Sequence, residues 1–444
     1  PYMLTQNDPN RVMVLERNPH FRGETYPTEG EPGDAAAGLL KDAGKRLPFI
    51  DKAVFSLEKE SIPYWNKFLQ GYYDGSGIAS DTFDQAVQMS SQGEAVVTDS
   101  MQKQGIRLST SVAVSTFYMG FNMLDAVVGG GPDEGSRERA RKLRQAISIA
   151  VDYEEFVSIF RNGRGISAQG PIAPGIFGYR DGKEGINPVV YDWDGKAPLR
   201  KSVEAAKKLL AEAGYPNGID ARTGAPLVLN FDVTARSVDA KSQLDWMRRQ
   251  FEKINIQLVV RDTDYNRFQD KIRKGNAQIF EWGWHADYPD PENFLFLLHG
   301  PQGKVKNQGE NAGNYENPEF DRLFERMKNM PNSRERQAII DRMVAILRHD
   351  APWLWGFHPT DYALYHSWYG NLKPNKIAYN TVKYQRIDTT LRAQKRRDWN
   401  HSVLWPLGRL VALLAAFTAP AVVADFRRER QAASGSCFCR VMLG

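Results

Sequence analysis

The residues best equipped for chemistry lie in one stretch, Glu281 to Leu298, EWGWHADYPDPENFLFLL. Its first ten positions hold two tryptophans, a histidine, a tyrosine and two aspartates. Three chemistries suit such a set. Asp287 with Asp290 or Glu281 could form a carboxylate pair for acid/base hydrolysis. His285, Asp287 and His299 could ligate a metal. A carboxylate flanked by indoles could instead hold a ligand with a cationic end and an apolar body, by charge-assisted hydrogen bonding and cation–π contact. The spacings match no recognised hydrolytic or metal motif such as H-E-x-x-H, and the chain contains no G-x-S-x-G, P-loop or G-x-G-x-x-G. His349-Asp350 and His358 with Asp361 read as ordinary surface or loop residues. The stretch therefore reads as a binding site, with no catalytic residue, no metal and no cofactor. The structural alternative makes Trp282 and Trp284 core aromatics and Asp287 a turn residue.

The elements that would position these groups follow from the flanking pattern. Ala277 to Trp282 alternates like the end of a strand, and Pro289 and Pro291 forbid helix until about Asn293. The aromatic and acidic groups thus sit on a strand-to-loop corner, where scaffolds commonly display binding groups. Upstream, Leu227, Leu229, Phe231 and Val233 alternate as a strand, Lys241 to Ile254 is helical, and Ile256 to Val260 is a strand. Tyr265 to Lys274 is a helix closed by Gly275. Strand, helix, strand, helix, strand implies a mostly parallel α/β sheet. The corner lies at the C-terminal end of its last strand, where open α/β sheets bind ligands.

A chain of 444 residues exceeds one hydrophobic core and predicts two or three packed domains. The net charge of +5 is scattered, with no basic stripe, which argues against nucleic acid. The only cysteines, Cys437 and Cys439, lie at the C-terminus, so the folded body lacks disulfides and thiolate metal sites. Tyr2 to Gln6 and Arg11 to Glu16 form a hairpin around Asn7-Asp8-Pro9-Asn10. A Gly, Pro and Asp-rich insertion to about Leu47 reads as an exposed loop, Leu47 to Leu57 as a strand, and Tyr64 to Val87 as mixed helix and turn. Val112 to Asn122 is one β-rich run, and Arg137 to Val151 is helical. Asp152 caps the next helix with Glu155 as its capping-box partner. Ser202 to Ala213 is a helix stopped by Gly214 and Pro216, and Ser333 caps Arg334 to His349. In Ala351 to Leu372, Trp353, Trp355 and His358 either border a ligand groove or pack in the core.

Several of these segments also carry a family resemblance. W-x-A-D-Y-x-x-P-x-x-F, here Trp284, Ala286, Asp287, Tyr288, Pro291 and Phe294, resembles the extracellular solute-binding proteins of family 5, the dipeptide and oligopeptide receptors of ABC importers. VMVLERNPHF, LPFIDKAVFSL, FYMGFN, RKLRQAISIAVDYEEFV, GPIAPG, KKLLAEAGYPNG and NYENPEFDRLFERM are similar to further family segments. The resemblance covers about residues 1–390. It implies a periplasmic-binding-protein type II-like fold of two α/β lobes with mixed sheets and a hinge. Residues 1–111 would be the remainder of the first lobe and 112–388 the second, with the ligand-facing loop at 281–298. It also implies a periplasmic receptor, monomeric, that passes a peptide or other small solute to a permease in the inner membrane. Asp287 would bind the peptide's free amino terminus, Trp284 and Tyr288 would be walls, and Trp282, Asn314 and Asn122 further ligand-binding candidates. Glu281 stands where some peptide-binding members have an arginine, so a carboxylate-binding role at that position is lost. Relatives bind sugars and nickel complexes, and a membrane-tethered sensor would use the same binding step. The chain starts in mid-pattern at Pro1, and the resemblance implies that a signal peptide and the early first lobe precede it.

After a basic linker, 389–402, the run from Val403 to Ala424 would span roughly 33 Å as a helix, enough for one membrane crossing. Arg409 near one end could snorkel to the interface. Basic residues flank both sides, so charge alone does not orient the helix. The expectation is a C-terminal transmembrane helix, 403–424, that anchors the body outside and leaves a short tail, 425–444, inside.

Overall fold

The computed structural model describes residues 1–90, 94–234, 240–375, 378, 381–400 and 405–438. A mixed sheet forms its centre. The strands run in the order Gln257–Asp262, Val228–Val233, Ile279–His285, Ser115–Phe121, Trp353–Tyr365 and Gly75–Gly77. The first three are parallel, as their alternation with helices predicts. Crossover helices cover both faces of such a sheet. Trp246, Met247 and Phe251 of helix Ala240–Glu252 pack into the core on one side. Phe268 and Ile272 of helix Tyr265–Arg273 join a second core with Phe280 and Trp353.

The β-rich run Val112 to Asn122 holds one strand, Ser115–Phe121, and begins with the last residue of another, Arg107–Val112. Ser115–Phe121 lies antiparallel between Ile279–His285 and the first half of Trp353–Tyr365. Arg107–Val112 pairs instead with the second half, Thr360 to Tyr365, as does Gly75–Gly77 with its last three residues. The thirteen-residue strand Trp353–Tyr365 therefore joins two bodies. Its start belongs to the main cores, while Leu364 is buried with Trp65, Phe68 and Ile78 in a third. The strand changes course at a bulge between Trp355 and Phe357. Gly356 occupies it because a Cβ there would lie 2.4 Å from the Phe117 carbonyl oxygen.

The N-terminal hairpin forms as expected, Tyr2–Asp8 against Val12–Arg17, with Lys52–Ser56 as a third strand. The insertion that follows is tied down rather than free. Lys373 pairs with Glu31 and Asp34, Lys383 with Glu24, and Arg386 with the buried Asp42. Asp152 caps helix Tyr153–Arg161 by accepting from the Glu155 N–H at 3.0 Å. Glu155 does not close the box. Its carboxylate accepts from Trp246 Nε1 (3.0 Å) and Gln250 Nε2 (2.9 Å), and Gln250 Oε1 takes the Asp152 N–H, which fastens two helices together.

The expected transmembrane helix is overturned. Among the described residues no helix is long and apolar enough to cross a membrane. Helix Trp405–Phe438 is long, but only fifteen uncharged residues separate Arg409 from Asp425, and Pro420 lies among them. That is roughly 22 Å of helix against a hydrocarbon core about 30 Å thick. Nor is it a buried amphipathic helix, since Leu413, Phe417 and Phe426 are exposed.

The bulge gives a direct check on this architecture. Gly356→Ala is expected to destabilise the fold by about 1–3 kcal/mol in urea unfolding, because the new methyl meets backbone that cannot rotate away. Unchanged stability would contradict the register drawn here.

Candidate ligand-binding cleft

A cleft of about 510 Å³ opens where Val233 and Thr234 leave the sheet. Each wall residue is set by an element start or a register position. Tyr153 and Tyr265 are the first residues of their helices, directly after the capping aspartates Asp152 and Asp264. Phe268 lies one turn into the second helix and packs on Trp282, ring centroids 5.2 Å apart. Phe117 sits opposite Gly283 in the antiparallel pair. Glycine is required there, since a Cβ would fall 2.7 Å from the Phe117 ring. That ring stacks on Phe357 at 5.2 Å and meets His285 edge-on at 5.8 Å. The hydroxyl of Ser115, the register partner of His285, is 2.7 Å from its Nδ1 and fixes the imidazole.

Strand alternation puts Glu281 and His285 on the same face. Glu281 has no hydrogen bond or ion pair with any described residue. Solvent reaches its carboxylate through the open mouth, yet protein surrounds it at depth. The two properties pull against each other. Loss of bulk water raises its pKa. Burial also raises the pKa of the Tyr153 hydroxyl, and the nearby Glu281 charge adds to it.

The corner beyond the strand is held by buried side chains. Asn293 Oδ1 accepts from the Asp287 backbone N–H at 2.8 Å and from Trp284 Nε1 at 3.1 Å. Asp290 takes a two-point grip from the buried Arg336, at 2.6 and 2.8 Å, which fixes the second Pro-Asp turn. Trp284 is half-buried, edge-on to Phe296. Asp287 and Tyr288 are exposed, and the Tyr288 hydroxyl donates to Glu292.

Of the candidates from sequence, Trp282 lines the cleft, and Asp287, Trp284 and Tyr288 cluster just past its rim residue His285. Asn122 and Asn314 lie elsewhere, in the interior. Asn122 donates to the carbonyls of Gly275 and Ala277, and Asn314 donates to Asn122 Oδ1 at 3.2 Å. Asn314 also accepts from the Val305 N–H and holds a left-handed φ of 52°. Trp353, stacked on Tyr118 at 3.4 Å, Trp355 and His358 are buried core residues. Burial pushes the His358 pKa down to about 4. For the enzymatic alternatives, Asp290 is committed to Arg336, and His299 stacks on Phe324. Among the described residues no group of three His, Cys, Asp or Glu side chains could hold a metal. Sequence reasoning missed Tyr153, Tyr265, Phe117 and Phe268 as cleft walls. The signal for the two tyrosines was an Asp-Tyr step opening each helix.

The arrangement is an α/β sheet with an open cleft at the carboxyl ends of its parallel strands. The chain belongs to the bacterial extracellular solute-binding proteins of family 5, whose model, "Bacterial extracellular solute-binding proteins, family 5 Middle", matches residues 1–306. It is 29% identical over 222 residues to heme-binding protein A of Haemophilus influenzae, covering 50% of this chain and 37% of that protein. It is 26% identical over 220 residues to the dipeptide-binding protein of Escherichia coli, covering 49% of this chain and 37% of that protein. The match thus takes in little more than a third of either relative. The ABC transporter-associated periplasmic binding protein DppA from Helicobacter pylori, solved with the peptide STSA, shares the fold with a TM-score of 0.65 at 18% identity. That match covers 88% of this chain and 63% of that one.

The environment of Glu281 predicts a stability signature. Its folded-state pKa lies above the unfolded value, so the destabilisation is absent below the unfolded pKa and complete above the folded one. Glu281→Gln is expected to raise the melting temperature by about 1–2 °C at pH 7 and to leave it unchanged at pH 4. An equal effect at both pH values would show that the carboxylate is not desolvated.

Proposed function

We propose that this chain is the ligand-capturing component of an ABC importer, which holds short peptides by their free amino terminus and presents its closed form to a membrane permease. The observation that carries the reading is an aromatic-walled cleft at the carboxyl ends of parallel strands, with a carboxylate corner at its rim, in a chain of the solute-binding family. The peptide bound to the Helicobacter pylori protein and the name of the Escherichia coli relative support peptide as the solute. Periplasmic placement and monomeric action are part of the same proposal.

The mechanism uses the joined bodies. A ligand that touches both makes contacts only the closed form can satisfy, and it shifts the open–closed population by that differential affinity. Asp287 is suited to the ammonium because its carboxylate is exposed while Asn293 holds its backbone in place. Trp284 and Tyr288 flank it, with Trp284 pinned to the same Asn293 oxygen. Trp282 supplies a wall within the cleft.

Calorimetric titration of the full chain with free-amine and N-acetylated peptides tests the anchor. Asp287→Ala is expected to lose about ten- to a hundred-fold in affinity for free-amine peptides, the worth of a charge-assisted hydrogen bond. Its melting temperature should stay unchanged. Unaltered affinity would overturn the role of Asp287. Stabilisation by hemin and by no peptide would overturn peptide as the solute.

A further inference from the structure

We infer that the cleft recognises a second positive charge on its ligand at Glu281, so that the solutes captured best are peptides with a lysine or arginine side chain as well as a free amino terminus. The inference rests on the peptide reading above and adds a charge requirement to it.

Four observations carry it. First, among the described residues that line the cleft, Glu281 is the sole acid and there is no lysine or arginine. Second, its carboxylate opens to solvent at the cleft mouth and has no partner among the described residues. It is therefore available to a cation, by charge-assisted hydrogen bonding. Third, the nearest titratable cleft residue on the same strand face, His285, is already engaged by Ser115 Oγ. Fourth, the walls are aromatic. Phe117, Tyr153, Tyr265, Phe268 and Trp282 line the cleft with aromatic rings, whose faces suit a cation. A ligand ammonium or guanidinium there would pair with Glu281 and lie against those rings. A ligand carboxylate would be repelled.

The spacing fixes where the second charge belongs. Glu281 and His285 are separated by four strand residues, roughly 13 Å, and Asp287 lies beyond. A peptide whose amine meets Asp287 would reach Glu281 with a long basic side chain about three or four residues along.

The test compares tetrapeptides identical except at position three or four, which carries lysine, its uncharged isostere norleucine, or glutamate. Each is titrated calorimetrically into the full chain and into Glu281→Gln. The wild-type chain is expected to bind the lysine peptide at least ten-fold more tightly than the norleucine peptide, and the glutamate peptide least well. Glu281→Gln should lose the preference, binding the lysine and norleucine peptides equally. Equal affinities for lysine and norleucine in the wild type would overturn the inference while leaving the peptide reading standing. So would a lysine preference that survives in Glu281→Gln. Absence of binding by all three peptides would overturn both.

Discussion

The strand Ser115–Phe121 is hydrogen-bonded along both edges, and its register on each side fixes what surrounds it. On one side Phe117 meets Gly283 and Ser115 meets His285, which sets the cleft floor. On the other, Trp353 to Phe357 pair with Gly120 back to Phe117, bulging at Gly356, and the rest of that strand leaves for the smaller body. A slip of one residue on either edge would turn every side chain to the opposite face. Phe117 would leave the cleft, and the close approaches at Gly283 and Gly356 would meet side chains instead of space. The binding cleft and the link between the bodies therefore share one structural constraint.

Around that strand, polar side chains do fixed mechanical tasks. Asn293 ties the Asp287 backbone to the Trp284 indole, and Arg336 clamps Asp290, so side chains from neighbouring elements hold the corner. Glu155 binds helix to helix through Trp246 and Gln250. Glu281 differs from all of these. It is the charged cleft group left without a described partner, and on that contrast we base its proposed pairing with a ligand cation.

Much of this was legible in the sequence because it rests on local rules. The alternation at Leu229, Phe231 and Val233 gave a buried parallel strand, and the capping aspartate at Asp152 gave a helix start. The corner at Trp284 to Phe294 was legible through its prolines and its family pattern. Long-range pairing was not. The break at Ala113 and Val114 appears only because the strands on its two sides pair with different halves of one partner. Asn122 and Asn314 have the composition of ligand contacts, yet they bond to each other because the left-handed turn at Asn314 brings them together. The run from Val403, whose first two residues lie outside the described ones, read as a membrane span by length, but Arg409 and Pro420 interrupt it and Asp425 ends its uncharged part.

The most direct measurement is the structure of the full chain crystallised with a captured lysine-containing tetrapeptide. Ligand density is expected between Phe117, Tyr265 and Trp282, with the basic side chain against Glu281 and the terminal amine at Asp287. Density in the separate cleft lined by Gln169, Arg180 and Arg348, with the Glu281 cleft empty, would contradict this placement.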